Sequence, residues 1–379
     1  MSISVQRLDY MNVARGCAIL MVIFVHTAQA VPGLSFFASA IAQYGQFGVQ
    51  LFFVASAYTL CLSFENRSNE SKPIFYFYIR RFFRIAPLYY VAIVVYFLFF
   101  TLKKFYLEGS VSSFYPYSIS NVLANIFLIH GFIPSANNNI VPGGWSIGTE
   151  MAFYLIFPFL FSFLKNGAVN HVKKVCIAII MVFLINLVFQ SLAVEYSSLG
   201  LDSSDFLYFN IVNQFPVFLL GILIYFFTKE GQGKRSRIPS LYLIILGMLF
   251  SLVAVYSLNS GMVLMRAVIP TISGVFFFFF VLFLMKINAG NIFLSKVGVY
   301  SFSMYVFHFI FAWGVVPPLA KQLNRVINPD ATLLFSFAIV VCLTYLLASI
   351  TEKHIEKRGI FFGKYLIDMN SRRNGVKEA

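Results

Sequence analysis

Charge is what this chain has least of. Only 11% of its 379 residues are Asp, Glu, Lys or Arg, whereas 59% are hydrophobic and the mean hydropathy is +0.81. No soluble domain is built this way, and apolar runs in such number imply a polytopic membrane protein. Acid is scarcer still, with 14 Asp and Glu against 28 Lys and Arg. There are four cysteines, Cys17, Cys61, Cys176 and Cys342, all within apolar runs and without CxxC or metal-ligand spacing. That excludes a disulfide framework and leaves no candidate metal site. A Gly-rich nucleotide loop is also missing, since Gly231-Gln232-Gly233 reads as a turn in a basic loop, and no internal repeat is visible. The longest hydrophilic stretch is the tail after Thr351, too short to fold alone. The expected organisation is a membrane domain over 1–351 and a basic cytoplasmic tail over 352–379. No residue pattern sets an oligomeric state.

Runs of about 20 apolar residues mark the spans. They fall near 9–31, 42–63, 86–102, 147–164, 175–194, 207–227, 239–258, 262–285, 302–320 and 331–350. The expectation is an all-α polytopic bundle of about ten transmembrane helices. The segment 121–146 is partly apolar, but Pro134, Pro142 and Gly143-Gly144 break it. It reads as a re-entrant or interfacial piece, tolerable at membrane depth only where it lines a cavity. In this topology Lys103, Lys104, Lys321 and Arg325 are the basic residues of the outer loops, and Arg15 and Arg266 lie within spans. The remaining basic residues fall on the side of both termini, which the positive-inside rule assigns to the cytoplasm. The basic excess is therefore orientation and contact with anionic membrane lipid, not a nucleic-acid footprint. Ala28-Gln29-Ala30 is similar to a signal-peptidase site, but a span carrying Arg15 and His26 is expected to be retained.

The stretch FYFYIRRFFRIAPLYY, residues 75–90, sets Arg80, Arg81 and Arg84 among aromatic rings at the start of a span. On a helix Arg81 and Arg84 share a face and Arg80 pairs with Arg84. Such forks bind phosphate oxygens two at a time. The motif fits juxtamembrane contact with lipid headgroups as well, and by itself leaves both readings open. Ionisable groups inside spans are the other candidates. Arg15 and His26 lie 11 residues apart on the first span, on one face and about 16 Å apart. Glu150, in GGWSIGTEMAFYLIFP, has Tyr154 at i+4 and Trp145 nearby. Ser301, Tyr305 and His308 form one polar stripe on an apolar helix, and His130 sits in the re-entrant piece.

Together these pieces resemble acyltransferase family 3, the integral membrane acyltransferases. LDYMNVARGCAILMVIFVH is similar to the family's opening, and FFVASAYTL to its second span, with Ala57 where glycine is usual. IRRFFRIAPLYY carries an RxxR-type motif with its following proline, and GGWSIGTEMAFYLIFP resembles the W-S-L-x-x-E-x-x-F-Y pattern. SFSMYVFHF and HIEKRGIFFGKYL are similar to the later segments, with Arg358 where proline is usual. The resemblance implies a bacterial inner-membrane O-acyltransferase. It would move an acyl group, usually acetyl, from cytoplasmic acyl-CoA to a hydroxyl of a surface glycan or lipid-linked glycan, such as an O-antigen. Some members carry a fused SGNH domain, and none is expected in these residues. On this reading acetyl-CoA is a substrate and no cofactor is resident. Arg80, Arg81 and Arg84 would hold CoA phosphates, with Arg15 adding charge along the path. His26 would act as base or be transiently acylated, and Glu150 with Tyr154 would orient it. Trp145, Ser301, His130 and His308 would shape the acceptor side. A transporter or flippase of lipid-linked sugars and a non-catalytic membrane subunit are the alternatives.

Overall fold

The computed structural model describes residues 9–108, 117–167, 170–195, 204–230, 247 and 263–373. All regular structure among them is helical, in keeping with an all-α bundle. The chain runs through α1 (Asp9–Ala28), α2 (Phe36–Gln43), α3 (Gly48–Glu65), α4 (Pro73–Glu108) and α5 (Ile119–Ile126). It continues as α6 (Gly144–Lys165), α7 (His171–Glu195), α8 (Ser204–Phe209), α9 (Ile211–Glu230) and α10 (Val263–Lys286). The last elements are α11 (Ile292–Val299), α12 (Ser301–Gly314), α13 (Val316–Leu323), α14 (Pro329–Thr351) and α15 (Lys357–Arg373). Among the described residues 8 helical segments are long and apolar enough to cross a membrane, or 9 if α11 and α12, bent by 80°, form one span. The span expected at 239–258 lies outside the described residues except for Gly247.

The arginine stretch and the third span form a single helix, α4, which starts at Pro73 rather than near 86. Pro87 lies inside it and has no N–H to give the carbonyl of Phe83. Gly359 of α15 covers that carbonyl. A Cβ there would lie 2.5 Å from the Phe83 oxygen and 2.8 Å from the proline ring. α15 reaches this position because α14 runs on through a π-helical turn, Glu352–Glu356. The segment after Thr351 is thus helix as far as Arg373, laid along α4.

Within 121–146 no described helix is long enough to cross a membrane. The segment folds as the end of α5, a 3-10 turn at His130–Phe132 and further turns up to Gly143. Side chains supply the hydrogen bonds that a helix would otherwise provide. Tyr89 Oη donates to Asn125 Oδ1 at 2.6 Å, and Tyr117 Oη to the Ile140 carbonyl at 3.0 Å. The turn then meets α6 backbone to backbone, since a Cβ on Gly148 would lie 2.7 Å from the Gly131 nitrogen. Across the bundle, Asn186 of α7 donates to Asn213 of α9 at 2.9 Å, and Gln190 donates to the Leu207 carbonyl at 2.6 Å. These buried amides pin the break between α8 and α9.

One end of the bundle gathers basic residues. Glu65 closes α3 and pairs with Lys165 of α6 at 3.3 Å and with Lys229 of α9. Lys72, just before α4, donates to Asn370 of α15 at 3.3 Å. The ends of α3, α6 and α9 and the start of α4 therefore share one side.

Candidate active site

α1, α3, α4, α6 and α12 enclose a cavity of about 90 Å³. Its polar lining is Arg15, Ser56, Arg81, Arg84, Ser146, Glu150, Tyr154, Ser301 and Tyr305, and its apolar walls include Phe52, Phe53 and Ile85. Six of the expected site residues meet here from four helices: Arg15, Arg81, Arg84, Glu150, Tyr154 and Ser301. The helical spacing of Arg81 and Arg84 turns both guanidiniums inward.

Each charged group is held differently. Arg15 Nη2 donates to Thr59 Oγ1 of α3 at 2.9 Å. The Arg81 guanidinium lies 5.7 Å from the Phe77 ring and 5.5 Å from the Tyr154 ring, and its Nε is buried without a hydrogen-bond partner. Arg84 makes no hydrogen bond or ion pair to any described residue, although Glu356 of the π-helical turn lies within electrostatic reach. Glu150 Oε1 accepts from Ser56 Oγ and from Tyr154 Oη, each at 2.5 Å. The lining thus has three guanidiniums and one carboxylate. Cations enclosed by apolar walls are costly unless an anion balances them.

His26 does not line this cavity. It stands about 16 Å along α1 from Arg15, toward the other end of the helix. Its Nδ1 bonds to Gln29 Oε1 at 2.9 Å, and no hydrogen bond or ion pair joins it to Glu150. The partner expected to be Glu150 is in this structure Gln29, in the turn just past the end of α1. The His26 ring faces His308 of α12, with centroids 5.3 Å apart, and both rings contact Phe309. His308 Nδ1 lies 2.7 Å from the Tyr305 carbonyl, so it carries the proton, because a carbonyl only accepts. His308 Nε2 is buried without a partner. The same logic puts the His26 proton on Nδ1, toward the Gln29 oxygen, and leaves its Nε2 lone pair free.

The stripe Ser301, Tyr305, His308 links the two places. Ser301 and Tyr305 line the cavity, and His308 lies about 4.5 Å beyond Tyr305 along α12. Tyr305 Oη accepts from Ser146 Oγ at 2.7 Å and donates to the Gly143 carbonyl at 2.9 Å.

The other expected residues lie elsewhere. Arg80 pairs with Glu70 and lines a separate depression near the start of α4. His130 Nε2 donates to the Gly144 carbonyl at 2.9 Å, tying the 130s turn to the start of α6. Trp145 is buried and stacks on Phe209 at 4.2 Å. The structure adds Ser56, Thr59 and Gln29, uncharged residues whose importance comes from what they touch. Gln29 was within reach of sequence reasoning, because it is i+3 from His26. Ser56 and Thr59 carry no such signal, since nothing in the sequence puts α3 beside Arg15 and Glu150. Glu356 was hidden in the tail. It is buried, accepts from Ser303, and Ser303 in turn accepts from Thr351 at 3.0 Å.

Among known proteins, the chain is 38% identical over 134 residues to the peptidoglycan O-acetyltransferase OatA of Listeria monocytogenes serovar 1/2a. That match takes in 33% of this chain and 21% of the relative's length, so the chain spans about a fifth of it. No solved structure matches. Residues 8–351, which contain the cavity and both histidines, match the family model described as an acyltransferase domain, and the chain belongs to acyltransferase family 3.

Proposed function

We propose that this membrane acyltransferase takes an acyl group, most readily acetyl, from cytoplasmic acyl-CoA. It delivers that group to a hydroxyl of a surface glycan or lipid-linked glycan, of the O-antigen, polysaccharide or peptidoglycan type, on the outer side of the bacterial inner membrane. The observation that carries this reading is the charge in the cavity. Three guanidiniums face one carboxylate at the basic end of the bundle, and the diphosphate of CoA supplies the missing anion. The termini and the basic helix ends then face the cytoplasm.

The geometry supports a division of labour. Arg81 and Arg84 grip the donor phosphates, and Arg15, braced by Thr59, adds a third charge. Glu150, fixed by Ser56 and Tyr154, is the one carboxylate that offsets the charge of these cations. The acyl end of the donor extends along the Ser301–Tyr305–His308 seam toward His26. His26 Nε2 takes the proton of the acceptor hydroxyl as it attacks the acyl carbon, and the C–S bond to CoA breaks. The imidazolium returns that proton to the departing thiolate, so that CoA leaves as the thiol; Gln29 holds the tautomer that makes this possible. His308, its ring centroid 5.3 Å from that of His26, likewise has an unpartnered Nε2.

Mass spectrometry of the surface glycan tests the reading in cells carrying the wild-type protein, no protein, or the His26→Ala variant. One acetyl increment present only with the wild type supports it. Full modification in all three rules it out for that glycan. Release of CoA by the purified protein separates an acyltransferase from a flippase, which releases none.

A further inference from the structure

Arg80 and the loop before it form a second basic site. The depression at the start of α4 is lined by Ser63, Phe64, Arg67, Phe77, Arg80 and Arg81, with Pro73 at its edge. Three guanidiniums line it and no carboxylate does. Arg81 belongs to this site and to the main cavity alike, and its Nε is buried and unpartnered. The two sites are thus neighbours that share one side chain as a common wall.

What keeps Arg67 and Arg80 together is behind them. Glu70 receives Arg80 Nη2 and lies 3.8 Å from Arg67 Nε. Arg67 Nη1 also donates to the Ser63 carbonyl at 3.2 Å. One carboxylate therefore braces two forks that would otherwise repel, and it leaves their remaining N–H groups for a second anion. Phe64, Phe77 and Pro73 complete the lining, with Phe77 buried beneath the Arg81 guanidinium.

We infer that this depression binds a phosphate monoester, the 3′-phosphate of the donor's adenosine. The diphosphate continues past Arg81 into the main cavity. This rests on the acyl-CoA reading above and adds to it a subsite, with Arg67 as a ligand and Glu70 as a positioning residue. The order along α4 agrees, because Arg80 is one turn nearer than Arg84 to the basic end where the donor arrives.

The test is a binding titration of the full-length protein in phosphatidylcholine nanodiscs with CoA and with 3′-dephospho-CoA. The wild type should bind CoA at least about tenfold more tightly, the worth of a charge-assisted pair of hydrogen bonds. Arg67→Ala should bring CoA down to the affinity of dephospho-CoA, with Arg67→Lys in between. Glu70→Gln should narrow the preference without removing it. Equal affinity of the wild type for both ligands overturns the subsite, and so does an Arg67→Ala variant that weakens both alike. If the wild type binds neither ligand, the donor reading itself falls. A lipid headgroup is the other source of a phosphate monoester. Phosphatidic acid added to the nanodiscs should leave the CoA preference intact, and its loss would give the site to lipid instead.

Discussion

The two ends of α1 make opposite demands on their surroundings. At Arg15 the helix meets a cluster of cations from α4 with one carboxylate among them, and every charged group but Arg84 has a protein contact. At His26 it meets neutral groups only, an amide and a second imidazole, and two nitrogens are left with free lone pairs. The first end is short of negative charge, and the second is short of a proton donor. A phosphate-bearing molecule answers the first shortage and a hydroxyl the second. Under the proposed function one helix serves both partners of an acyl transfer, with the two chemistries about 16 Å apart.

The largest effect should come from removing the base. His26→Ala should lower transfer by at least about a hundredfold, the usual contribution of a positioned acid or base. Donor binding should survive, because His26 does not line the cavity. Glycan acetylation and a CoA titration on the same protein check both halves, and a variant that loses donor binding as well would erase the distinction between the two ends. Next in size is Arg84→Lys, which should weaken CoA binding about tenfold by replacing a fork with a point charge. Arg84 bonds to no described residue, so thermal stability should hardly move. A large drop in melting temperature would mean the arginine is structural.

Gln29→Leu probes the other end more gently. It leaves the His26 imidazole in place but frees its tautomer, so kcat should fall about three- to tenfold at constant affinity for donor. Gln29→Glu retains an acceptor oxygen and should recover part of the loss. A change in donor KM instead would contradict the separation of the two regions.

How much of this could be read from residues alone depends on whether the information was local. The meeting of Arg81 with Arg84, and of Glu150 with Tyr154, follows from spacing on one helix, and the apolar runs give most of the spans. Contacts between helices were not legible, because hydrophobic periodicity fixes a face but not a height. His26 and Glu150 both look inward from long spans, yet they end at different levels, and Gln29 takes the place expected of the carboxylate. The start of α4 was set too late because the apolar run begins only after Arg84, just before Pro87. The helix passes through it where Gly359, far along the chain on α15, covers the freed carbonyl.

The smallest expected effect sharpens the comparison at its least visible point. Thr59 Oγ1 accepts from Arg15, and the same hydroxyl donates to the Ala55 carbonyl at 2.9 Å. Thr59→Val keeps the shape of the side chain and removes only the polar atom, so Arg15 loses its brace while the helix keeps its backbone bonds. Arg15 then samples more positions around the cavity and spends less time aimed at the donor. CoA affinity should fall by about two- to fivefold, the worth of one hydrogen bond. Transfer at saturating donor should be preserved, since nothing at the His26 end has changed. If instead kcat falls and affinity holds, Arg15 acts on the transferred group rather than on the phosphates, and the boundary between the two ends of α1 must be redrawn closer to the basic side.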